Sequence, residues 1–201
     1  RAPCRFHSSA HRLAPGAEHV LVYVGRLAPE KRIHVLMDAF DRIRARASRR
    51  VALVLVGGGP AEEELRRRAA PDVHFTGYLE GAELAAAYAA GDVFVFPSDT
   101  ETFGNVVLEA MASGVPVVAA DRGGVTECVR PDVTGSLVRA GDAEAFAEAT
   151  LALLRDDERR HRLGRGARAF ALGRSWSAIM GGLREAYVEA AARGRSARRV
   201  A

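Results

Sequence analysis

Apolar positions along this chain follow two alternating rhythms. Short runs with little polar interruption, His19–Val24, Val51–Val56, Val73–Phe75 and 92–97, read as strands buried on both faces of a parallel sheet. Between them the spacing lengthens to threes and fours. Ile33, Leu36, Met37, Phe40 and Ile43 mark an amphipathic helix, a Glu- and Arg-rich helix follows Pro60, and another runs over 82–90. Residues 115–120 and 135–140 read as a fifth and a sixth strand, with a short helix carrying Glu127 between them. After Asp142 the pattern is helical throughout, in segments 143–155, 158–170 and 176–192, the last bent at Gly181-Gly182. Such alternation predicts right-handed βαβ units. The fold class is therefore α/β, a doubly wound parallel sheet of about six strands with helices on both faces and further helices at the C-terminal end.

Residues 1–18 are polar, hold Pro3, Pro15 and Gly16, and read as a linker or interdomain segment. Residues 19–172 form the predicted domain, and 173–201 a C-terminal helix and basic tail. Trp176 reads as a core anchor for that last helix. The chain opens without Met in irregular sequence, so a piece of a larger protein is expected.

Composition narrows the class. A hydrophobic share of 48% with 27% charged residues in 201 suits a soluble globular domain. The net charge of +4 comes from arginines that mostly alternate with acids on helix faces, as solvated surfaces do, so no nucleic acid partner is expected. The cluster at 193–199 lacks balancing acids and reads as a frayed terminus. No apolar run approaches the roughly 18 residues of a membrane span. Cys4 and Cys128 stand in no metal-ligand spacing and the six histidines form no paired motif, so no metal site and a reducing, cytoplasmic compartment are expected. Gly57-Gly58-Gly59 lacks the spacing of a dinucleotide fingerprint and runs into Pro60, and no P-loop occurs, which argues against an oxidoreductase.

In doubly wound sheets ligands bind beyond the C-terminal strand ends, where the Gly-rich and charged turns of this chain fall. The richest is Ser98–Val118. There Phe103-Gly104-Asn105 opens a helix whose first amides lack internal partners, at the positive end of its dipole. A phosphate is expected on Gly104, Asn105 and Val106. Glu101 and Glu109 bracket that opening and can act as an acid/base pair or as holders of hydroxyl groups. Glu109 falls among Val106, Val107, Leu108, Ala110 and Met111, so partial burial is expected. Arg26 and Lys31, five residues apart in the loop after the first strand, can grip a diphosphate or simply face solvent.

Five motifs in order now carry a resemblance: V-G-R-L-A-P-E-K at 24–31, V-G-G-G-P at 56–60, F-T-G-Y-L at 75–79, the segment 97–118, and D-R-G-G-V-T-E at 121–127. Together they resemble the C-terminal, nucleotide-sugar-binding domain of retaining GT-B glycosyltransferases of family 4, over residues 20–140. R-F-H at 5–7 looks like the end of that family's interdomain segment. The resemblance implies a Rossmann-like domain, one half of a GT-B fold. By it Glu101 contacts the donor sugar and Glu109 the ribose hydroxyls. Gly25, Arg26 and Lys31 hold the diphosphate, the backbone of Phe103, Gly104 and Asn105 faces sugar and phosphate, and the base lies against Gly77, Tyr78 and Leu79. Many members carry Gly where this chain has Arg32.

With both loops on the phosphate, the two glutamates become hydroxyl clamps rather than proton shuttles. The resemblance implies no obligatory metal or cofactor, a GDP- or UDP-linked sugar donor with GDP-mannose first, and a lipid or glycan acceptor. It also implies an N-terminal acceptor-binding domain of the same protein, and a peripheral contact at the inner face of the membrane. Two other readings are a GT-B-fold nucleotide-sugar epimerase and a non-catalytic nucleotide-sugar binding module.

Overall fold

The structure, a computed structural model, describes residues 13–174. Six parallel strands form one sheet: β1 (His19–Val24), β2 (Val51–Val56), β3 (Val73–Gly77), β4 (Val93–Phe96), β5 (Val117–Ala120) and β6 (Gly135–Val138), in the order β3-β2-β1-β4-β5-β6. β1 and β2 are buried along their whole length and pair residue for residue from His19 with Val51 to Val24 with Val56. The helices are α1 (Ile33–Arg46), α2 (Glu62–Arg68), α3 (Gly81–Ala89), α4 (Asn105–Ala112), α5 (Ala143–Arg155) and α6 (Asp157–Leu172). Single 3-10 segments lie at Pro29–Lys31 and Gly123–Glu127. Strand order reverses between β1 and β4. Right-handed crossovers leaving β1 and β4 in opposite directions put α1 and α4 on opposite faces. α5 joins α1, and α6 joins α4.

Several element limits differ from the sequence pattern. β3 runs two residues further, to Gly77, through a register shift against Leu55 and Val56, because it is an edge strand whose exposed side needs no apolar residue. β5 starts at Val117, not 115, and β6 stops at Val138, where ladder pairing begins and ends. The segment around Glu127 is a 3-10 turn. The expected helix 176–192, Trp176, the basic cluster and residues 5–7 lie outside the described residues.

Most arginines among the described residues behave as solvated surface residues; Arg160 is the exception, buried and paired with Asp157. Arg42 and Arg46 of α1 reach Glu144 and Glu148 across the α1–α5 seam, at 2.5–3.0 Å, all substantially exposed. Such pairs contribute little stability individually. α5 is better secured at its start, where Asp142 Oδ1 accepts the Ala145 amide at 3.0 Å. Asp142→Ala is expected to lower stability by about 1 kcal/mol in denaturant titration, the usual cost of losing an N-cap.

Candidate functional site

All six strands point the same way, so the turns after β1 to β5 gather at one edge, and the turns after β1 and β4 flank the point of reversal. The turn after β1 leaves Gly25, whose amide donates to Val56 O at 3.0 Å, and passes Arg26 into the 3-10 segment ending at Lys31. The turn after β4 runs from Pro97 to Gly104. Between these turns, 70 residues apart in sequence, Lys31 Nζ lies 2.7 Å from Glu101 Oε2. Both side chains are about four-fifths buried, which shields the pair from solvent screening. A second bond, Thr100 Oγ1 to Glu30 O at 3.4 Å, runs beside it.

Gly104 turns the chain into α4. It sits at φ 68, ψ 38, a left-handed conformation that glycine adopts without steric cost, and serves as N-cap with no side-chain bond. The amides of Asn105 and Val106 find no backbone carbonyl among the described residues, whereas those of Val107 and Leu108 return to Gly104 O. The open helix start expected at Gly104, Asn105 and Val106 is therefore present, with Asn105 exposed and Val106 half-buried. α4 runs for 8 residues, so two turns of aligned peptide dipoles stand behind those free amides.

Glu109 requires a correction. It is exposed, not partly buried. α4 packs Val107, Ala110 and Met111 into the core, and at about 100° per residue Glu109 stands nearly opposite that face. The apolar residues around it suggest a stripe in sequence, but Val106 and Leu108 are only half-buried flanks. Glu109 is nonetheless held, since the Tyr88 hydroxyl donates to its Oε2 at 2.7 Å.

Arg26 stands apart from Lys31. Its side chain is 62% exposed and, among the described residues, its guanidinium meets Glu30 at 3.4 Å. The two cations share a turn, but Lys31 alone is engaged across the reversal point. Lys31 also closes a 3-10 turn and does not open α1, which starts at Ile33. Two large apolar side chains project from turns at this edge, Tyr78 after β3 and Phe103 before α4, each 75% exposed. The Tyr78 hydroxyl donates to Gly58 O at 3.1 Å, laying its ring along the turn after β2, and Leu79 is half-buried beside it. Among the described residues no group of three or more His, Cys, Asp or Glu side chains forms a metal site. Cys128 is free and buried, and burial pushes its thiol pKa up, as for an inert core cysteine.

The sequence pattern missed several supports of this arrangement. Arg32 takes a left-handed conformation, φ 54, and its Nη2 reaches Asp99 Oδ2 at 3.0 Å. The glycine that many members of the resembling family have there suits that backbone; here an ion pair to a side chain only 10% exposed accompanies it. Gly124 donates its amide to Glu101 O at 2.7 Å, and a Cβ on it would overlap Thr102 O. Gly57 is pressed as closely on the backbone of Gly25, whose carbonyl oxygen occupies the place a Cβ would need. These glycines bring neighbouring turns against the two site loops. The sequence pattern excludes a phosphate-loop spacing for Gly57 but does not show this packing role, which only three-dimensional proximity reveals.

Comparison with known proteins matches residues 18–156 to the family described as Glycosyl transferases group 1. The chain belongs to this family. A sulfoquinovosyl transferase of Arabidopsis thaliana, SQD2, is 40% identical over 177 residues, 86% of this chain and 34% of that protein. A GDP-mannose-dependent alpha-mannosyltransferase of Mycobacterium tuberculosis is 41% identical over 169 residues, 84% of this chain and 42% of that protein. The chain thus spans less than half the length of these curated relatives. Among solved structures, HepE of Anabaena in complex with UDP and glucose aligns with a TM-score of 0.77 at 26% identity, covering 95% of this chain and 53% of that one. The six-stranded Rossmann-like sheet is the one shared with GT-B glycosyltransferases.

Proposed function

We propose that this chain is the donor-binding half of a retaining glycosyltransferase that moves a hexose from a nucleoside-diphosphate sugar to a lipid or saccharide acceptor. The observation that carries this reading is the Lys31–Glu101 pair across the reversal point, beside the open start of α4. A diphosphate on the free amides of Asn105 and Val106 faces Lys31 from one side, and Arg26 swings from solvent to the other. As the glycosidic bond breaks, negative charge grows on the leaving phosphate while the sugar becomes oxocarbenium-like. Cations and helix amides aimed at that phosphate lower the barrier where charge develops. Glu101 holds the sugar hydroxyls, Glu109 the ribose, and the turn at Gly77–Leu79 the base. No step requires a metal.

GDP-mannose is the favoured donor, supported by the 41% identity to a protein named for it. A uridine-linked sugar is the second reading, supported by the UDP held in HepE. In this reading residues 1–18 lead from an N-terminal acceptor-binding domain, and 19–172 form the donor lobe. The enzyme works in the cytoplasm, at the inner face of the membrane when the acceptor is a lipid. Among the described residues no helix is long and apolar enough to cross a membrane.

The test pairs two preparations. The full-length protein incubated with GDP-mannose or a UDP-hexose is expected to transfer only when an acceptor is present. The 201-residue chain is expected to bind the nucleoside diphosphate without transferring. Epimer formed without acceptor would replace this reading by an isomerase, and robust transfer by the chain alone would contradict the assignment of acceptor residues elsewhere.

A further inference from the structure

Beneath the two site loops runs an unbroken row of four aromatic rings. Tyr88 near the end of α3 meets Phe94 of β4, with centroids 5.8 Å apart and planes tilted by 48°. Phe94 stacks along the strand on Phe96 at 6.0 Å, and Phe96 stacks across the reversal point on Tyr23 of β1 at 6.0 Å. All four rings are buried. The row ends in a hydroxyl on each side. Tyr23 donates to Arg26 O at 3.1 Å, and Tyr88 donates to Glu109 Oε2 at 2.7 Å.

The geometry points to Tyr88 as a positioning residue that orients Glu109 for the ribose hydroxyls of the donor. This inference rests on the reading of Glu109 given above. Glu109 stands on the exposed side of α4, where a glutamate ordinarily samples several rotamers and loses that freedom only on binding. One bond from a fixed, buried phenol removes most of that freedom beforehand. The ring cannot follow a wandering carboxylate, because Phe94 and the core hold it. Burial first, then the Glu109 bond, raises the Tyr88 pKa well above its usual range, so the hydroxyl remains a donor throughout the working pH. The bond commits Oε2 and leaves Oε1 to accept the first hydroxyl of a vicinal diol, with the second lone pair of Oε2 for its neighbour.

The consequence is specific to the sugar ring of the nucleotide. Tyr88→Phe keeps the aromatic row and removes only the donor. Calorimetric titration of the chain compares GDP and UDP with their 2′,3′-dideoxy forms. Tyr88→Phe is expected to weaken the preferred ribonucleotide about tenfold, the scale of one charged hydrogen bond, and to leave the dideoxy form within about twofold of wild type. Glu109→Gln should abolish the same discrimination in a chain whose Tyr88 is intact. Equal losses on both nucleotides, or no loss on either, would overturn the positioning role while leaving diphosphate binding standing. Absence of diphosphate binding by the wild-type chain would overturn both.

Discussion

Replacing Lys31 by alanine in the full-length enzyme is expected to lower turnover about 10²- to 10³-fold, the scale seen when one preorganised charge stabiliser of a transition state is removed. Two observations support so large an effect. Lys31, unlike Arg26, is already directed across the reversal point, 2.7 Å from Glu101. Its surroundings are largely shielded from water, so its field on a leaving phosphate is weakly screened. The loss should fall mainly on kcat, because charge on the phosphate is greater in the transition state than in the bound donor. Arg26→Ala provides the contrast. Its guanidinium lies mostly in solvent with a long contact to Glu30, so a smaller loss, about tenfold, is expected. Steady-state kinetics with the preferred nucleotide sugar measure both. Wild-type turnover in Lys31→Ala would remove this lysine from the mechanism.

Gly124→Ala should produce a large structural effect beside the site. A methyl group there would overlap Thr102 O and stand 3.2 Å from Phe103 N, both backbone atoms of the loop that carries Glu101. Neither can rotate away as a side-chain tip would, so the turn after β5 and the turn after β4 must separate. Separation also breaks the Gly124 amide bond to Glu101 O. A stability loss of about 3 kcal/mol is expected from such overpacking, together with at least roughly thirtyfold weaker nucleotide binding, since Glu101 and the start of α4 move with the loop. Thermal unfolding and nucleotide titration of the same variant separate the two effects. A lowered melting temperature with unchanged nucleotide affinity would mean that the contact supports the sheet and not the site.

The strands were legible because burial on both faces leaves no room for polar residues. His19–Val24 and Val51–Val56 have the same limits by pattern and by structure. β3 was less legible, since an edge strand tolerates polar residues such as Thr76. The start of α4 was legible from Gly104-Asn105 alone, because a glycine before an apolar helix marks a backbone that must turn sharply. Glu109 was misjudged because neighbouring apolar residues in sequence point around a helix, and only the packing of Val107, Ala110 and Met111 decides which face is core. The Lys31–Glu101 pair joins residues 70 apart and has no local signal. Tyr88 lay hidden in an alanine-rich helix, where a tyrosine reads as one more core residue until its hydroxyl is seen to reach Glu109. Arg32 had a signal of its own kind, a non-glycine where many members of the resembling family carry glycine, and its left-handed backbone gives that difference a physical meaning.

The central claim is that a diphosphate sits between Lys31 and the open amides at the start of α4. Titrating the 201-residue chain with GDP and UDP, and in parallel with guanosine and uridine, while following the backbone amide resonances of Asn105 and Val106, tests it directly. Both amides are expected to shift saturably with at least one diphosphate and to respond little to either nucleoside, with binding weakened about tenfold or more in Lys31→Ala. Nucleosides that shift these amides as strongly as diphosphates, or diphosphates that leave them unmoved, would contradict it.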